Sequence, residues 1–135
     1  MFQILQKSAM IVIVCCFASC SKNEDAITYA KRTIAGKNWY LMSTTEGNQT
    51  KSFLDKSTYS IQFKVNDSTI DSDGIVGIYN INEQNNQLQL EVVGKTQNGI
   101  TANYVFQIVQ IEPTSLKIAY SQNSILIQKT FMTIR

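Results

Sequence analysis

The chain has 135 residues, 44% of them hydrophobic and 16% charged, which suits one folded domain rather than a disordered segment. Its 12 basic and 10 acidic residues nearly cancel and are scattered singly, so it carries no electrostatic footprint for nucleic acid. There is no histidine, which removes the commonest general base and the commonest transition-metal ligand.

The N-terminus holds one charge, Lys7, and then the apolar run MIVIVCCFA over Met10–Ala18. That run falls well short of the roughly 20 apolar residues needed to span a bilayer as a helix. A lysine, a short apolar run and small residues form the pattern of a secretory signal. All three cysteines sit here, at Cys15, Cys16 and Cys20. No other cysteine or histidine is present to complete a metal ligand set, and no Cys-x-x-Cys redox pair exists. Phe17-Ala18-Ser19-Cys20 resembles the lipobox of bacterial lipoproteins. The resemblance implies removal of residues 1–19 as a signal peptide and acylation of Cys20, with residues 20–26 as a tether to the membrane. Several acyl chains on one residue would make a durable anchor. Ser21–Asp25, SKNED, resembles the lysine-plus-acidic export signal of Bacteroidota, which implies the outer membrane and display at the cell surface.

The folded body is expected over residues 27–135. Ile27, Ala30 and Ile34 share one side of DAITYAKRTI, Asp25 can cap its start and Gly36 can end it, which predicts a short helix. The period then changes to two. Trp39–Thr44 and Ile75–Ile81 read as strands. Thr58–Val65 sets Tyr59, Ile61, Phe63 and Val65 against Ser60, Gln62 and Lys64. Gln87–Val93 alternates around Leu88, Leu90 and Val92, and Asn103–Ile111 around Tyr104, Phe106 and Ile108. Leu116, Ile118 and Tyr120 continue the pattern, and Ile125–Ile134 sets Ile127, Lys129 and Phe131 on one face. Such alternation marks strands buried on one side. Turn-forming stretches separate them, including DSDG at Asp71–Gly74, NEQNN at Asn82–Asn86 and QNG at Gln97–Gly99. With seven to nine short strands and no crossover helix, the sheet is antiparallel, as a barrel or a sandwich. Closure into a barrel is favoured because it leaves no exposed edge.

IAGKNWYLMS (Ile34–Ser43), GIYNINEQNNQLQLEV (Gly77–Val92), TSLKIAY (Thr114–Tyr120) and TFMTIR (Thr130–Arg135) together resemble the small lipocalin-like lipoproteins of Bacteroidota. The resemblance implies an all-β, antiparallel up-and-down barrel of about eight strands behind a short N-terminal helix. A META-type domain also opens with a tryptophan strand, but the Gly-Cys-Asn step of that family is missing here.

The aromatic residues Trp39, Tyr59, Phe63, Tyr79, Tyr104 and Phe106 are the candidate ligand-binding set, for a barrel of this size either fills its interior or holds one small ligand. Trp39 is expected more often to pack on the helix and close the base. Asp71 and Asp73 lack the further oxygen ligands of a calcium loop and read as a solvated turn. Asp67-Ser68-Thr69 resembles the Bacteroidota O-glycosylation motif, in a predicted turn. Lys129, among apolar neighbours, is read as a bulge or a lysine at the barrel rim in preference to an inward charge that reads a carboxylate. The expected function is a non-enzymatic, lipid-anchored binding module. Its partner would be a small apolar ligand or an envelope protein, with no cofactor, no metal and no nucleic acid. A filled barrel serving only as a structural or interaction lipoprotein is the alternative.

Overall fold

The computed structural model describes residues 24–53 and 59–133. Among these, one helix and nine strands follow in order: α1 Ala26–Ile34, β1 Lys37–Glu46, β2 Gln49–Ser52, β3 Ser60–Phe63, β4 Ser68–Asp71, β5 Val76–Gln84, β6 Gln87–Lys95, β7 Thr101–Ile111, β8 Ser115–Gln122 and β9 Ile125–Met132. The expected lipidation site Cys20 and its signal segment lie outside the described residues.

Helix α1 starts where the chemistry allows. Asp25 adopts an extended backbone and its Oδ1 accepts from the Thr28 N–H at 2.9 Å, satisfying one of the free donors of the first turn. Glu24 pairs with Arg32 one helix length away. Both acids of SKNED thus serve the helix. Lys31 and Arg32 in the last turn oppose the negative end of the helix dipole. Ala30 and Ile34 are fully buried, as their spacing on one face predicts, and Ile27 packs partly against the same core.

The strands pair antiparallel in sequence order, and β1 pairs with β9 to close the sheet on itself. β2 and β3 occupy successive halves of the same edge of β1, at Ser43–Glu46 and Lys37–Tyr40. The ladder continues on both sides of the break: the Phe53 N–H donates to the Met42 carbonyl and the Leu41 N–H to the Tyr59 carbonyl. The two short strands thus make one stave, and the wall is an eight-stranded up-and-down barrel of the lipocalin-like kind. Asn85-Asn86 and Asn123-Ser124 hold positive φ at both central turn positions, which matches the twist of two-residue hairpins.

Two strands depart from the alternation. β3 ends at Phe63, so Val65 leaves the inward face and is 83% exposed. Ser68–Asp71 is a strand rather than part of a turn, and Thr69 within it is buried. The expected accessibility of the Asp67-Ser68-Thr69 motif fails for that reason. Ser68 itself is half-buried and its hydroxyl donates to the Asn66 side chain at 2.6 Å.

The core is concentrated at one end. Trp39 lies wholly buried there, with Nε1 donating to the Ile34 carbonyl at 2.9 Å, so the first strand is bolted to the end of the helix. Phe63 and Tyr79 meet edge to face at 5.1 Å, and Leu90, Leu116 and Phe131 complete the packing. Lys37 Nζ donates to the Pro113 carbonyl and the Thr133 N–H donates to the Thr114 carbonyl. The beginning of β1 and the chain after β9 therefore both meet the β7–β8 turn, at this closed base.

Candidate functional site: a one-ended cavity

Above the base the barrel is hollow. A cavity of about 630 Å³ opens at the other end, within the ~300–1,000 Å³ range of small-molecule sites. Its walls come from inward positions around the barrel: Leu41 of β1, Ile61 of β3, Val92 of β6, Tyr104 and Phe106 of β7, and Tyr120 of β8.

Two glycines sit in the wall beside the lining. Gly77 and Gly94 face each other directly on β5 and β6, at positions in the same inward series as Tyr79 and Val92. A Cβ at Gly77 would fall on the Val93 carbonyl, so the two strands approach more closely than any side chain allows. A Cβ at Gly94 would sit 2.6 Å from the Ile75 side chain, which folds over that glycine to form part of the lining.

Charged groups of both signs line the cavity, Asp71 and Asp73 on one hand and Lys129 on the other, among the described residues. On one side, Asp71 Oδ1 accepts from the backbone N–H of Asp73 at 3.0 Å and of Ile75 at 2.9 Å, while Oδ2 accepts from the Tyr59 hydroxyl at 3.1 Å. The carboxylate thereby shapes the β4–β5 turn. Burial first, and then the negative charge of Asp71, push the Tyr59 hydroxyl well above the ordinary tyrosine range. It therefore stays protonated and serves as a donor. Among the described residues no group of three or more cysteine, aspartate or glutamate side chains is placed to hold a metal ion.

On the other side stands Lys129. Its neighbours in the ladder are Ile118 on β8 and Thr44 on β1, and Ile127 and Phe131 share its face of β9. Its Nζ lies 5.6 Å from the centre of the Tyr120 ring. Tyr120 meets Phe106 edge-on at 5.5 Å, and Phe106 stacks on Tyr104 at 5.9 Å with only 11° between the ring planes. The result is a continuous aromatic wall that runs from the mouth to a cation.

The candidate aromatic residues are divided by this arrangement. Tyr59, Tyr104 and Phe106 line the cavity. Trp39, Phe63 and Tyr79 do not: Trp39 closes the packed base, the place preferred for it, and Phe63 and Tyr79 are corrected to that base, where Tyr79 donates from its hydroxyl to the Lys64 carbonyl at 3.2 Å. Tyr120 belongs to the lining, although it did not stand out as a site residue; its place in the Leu116, Ile118, Tyr120 series was the available signal. Lys129 faces inward among the lining rather than standing out at the rim. A shallower depression of about 390 Å³ crosses the β6–β8 wall, bordered by Gln89, Asn103, Gln107 and Ser121. It is more polar and more open than the interior. Compared with protein-family models, with curated proteins and with solved structures, the chain matches none.

Proposed function

We propose that this protein is a non-enzymatic binding module that takes a small, largely apolar molecule into the open end of its barrel, and that a lipid on Cys20 holds it at the outer membrane. The cavity of about 630 Å³, floored by a packed core and walled by Leu41, Ile61, Phe106 and Tyr120, carries the first half of this reading. Apolar walls with a few convergent polar groups are what such ligands require. Asp71 is held in place as part of the wall, since both its oxygens already accept hydrogen bonds. The second half rests on the run MIVIVCCFASC and its resemblance to a lipobox.

The test is direct. An uncharged fluorescent apolar probe, N-phenylnaphthylamine, should brighten on binding and be displaced by aliphatic competitors. A Phe106→Asp variant that stays folded should lose that signal. For the anchor, Cys20→Ser should move the protein from the membrane to the soluble fraction.

A second reading, an envelope-protein partner, draws on the outer wall. Ile70 pairs with Val76 and Ile78 with Val93, so four apolar side chains form one outward patch across β4, β5 and β6. Ile78 is 63% exposed within it. Contiguous apolar surface of this kind favours a protein contact. Ile78→Lys should abolish that contact without altering probe binding.

A further inference from the structure

Building on the reading of the open end as a binding cavity, we propose that its ligand is an amphiphile with a single carboxylate, seated with that group against Lys129 and its apolar body along the Phe106 wall. The charged groups of the lining differ in how far they are already engaged. Asp71 holds three donors, two from backbone and one from Tyr59. Lys129 is different. An ammonium has three protons to donate, yet among the described residues its ion-pair partners number none and its recorded contact is the Tyr120 ring face. Because it is half-buried between Ile118, Ile127 and Phe131, it loses hydration that the ring returns only in part.

A ligand anion would supply the missing acceptor, in a cavity whose walls beside Lys129 include Leu41, Phe106 and Tyr120. The same surroundings set how much charge is accepted. Among the described residues the lining holds one cation, and Asp71 and Asp73 line it from the end of β4 and the β4–β5 turn. A single negative charge is balanced by Lys129, whereas a second would meet two carboxylates. A doubly charged phosphate also calls for more donors than one ammonium provides. The aromatic series Tyr104, Phe106 and Tyr120 leads from the mouth to Lys129, so an apolar body lying along it directs its acidic end inward.

Competition against bound N-phenylnaphthylamine tests this with dodecanoate and its methyl ester, which differ only in charge at one end. The protein from Ser21 onward holds every element of the barrel and serves for the assay. Dodecanoate should compete about tenfold better than the ester, the ratio that one charge-assisted contact supplies. Lys129→Gln should still bind the probe and lose the preference, and Lys129→Arg should keep it. If the wild-type protein binds the probe but acid and ester compete equally, or if Lys129→Gln retains the preference, the assignment of Lys129 is overturned while the cavity reading stands. If the wild-type protein does not bind the probe at all, the cavity reading fails and this inference with it.

Discussion

The two ends of this barrel are built from the same staves and have opposite characters. At the base, Trp39, Phe63 and Tyr79 fill the interior and the helix closes it, with Ala30 and Ile34 fully buried. At the mouth, the same inward alternation carries Tyr59, Tyr104 and Tyr120 around empty space, and Tyr104 is 44% exposed. The difference lies in side-chain volume and in the plug: the base has a tryptophan and a helix, and the mouth has no helix across it among the described residues. Packing and open space are thereby assigned to different residues of one continuous wall. A barrel can be rigid at one end because its packing there does not depend on what enters the other.

Substitutions can break or sharpen this division. The largest effect is expected at the base. Trp39→Ala removes a fully buried indole and its bond to the helix, and should cost about 3–5 kcal/mol in urea unfolding. Probe affinity at the mouth should be nearly unchanged while the protein is folded. Loss of probe binding in a folded Trp39→Ala protein would show that the two ends are not separate. Gly77→Ala lies between the ends and forces a Cβ onto the Val93 carbonyl, so a loss of about 1–3 kcal/mol is expected from the same measurement.

Tyr59→Phe at the mouth deletes one hydrogen bond to Asp71 and should cost about 1 kcal/mol. It should also change the pH dependence. The folded Tyr59 hydroxyl is raised above the ordinary value of 10.0, so its contribution is fully present below that pH. Above it, the unfolded chain releases the proton while the folded chain holds it, and stability falls as pH rises. Unfolding curves between neutral pH and pH values above 10.0 should be flatter for Tyr59→Phe than for the wild type. The smallest change in stability is expected at Lys129. Lys129→Gln removes a half-buried charge that has no carboxylate partner among the described residues, and a shift within about 0.5 kcal/mol in either direction is expected by thermal melting.

Much of the barrel was legible in the sequence, and the limits have physical causes. From Gln87 onward the alternation identifies which side chains face inward, because strand side chains repeat every second residue. β2 and β4 escaped notice because they lack an apolar inward set. Gln49–Ser52 is exposed throughout, and in Ser68–Asp71 the buried residue is Thr69 while Ile70 faces out. Alternation also reports only inside against outside. Depth along the axis depends on the stagger between strands, which is set by contacts far apart in sequence. Tyr59 and Phe63 therefore read alike on one strand, yet one lines the cavity and the other lies in the base. Lys129 could be placed on the correct face from Ile127 and Phe131, but its position beside Tyr120 could not be read from either strand alone.

The meeting of Lys37 and Thr133 with the Pro113–Thr114 turn gives the molecule a direction. The end of α1, the start of β1 and the chain after β9 all meet at the sealed floor, as a stalk meets the foot of a cup. If the proposed lipid on Cys20 anchors the chain ahead of α1, the proposed ligand would enter by the brim, at the end of the barrel away from that floor.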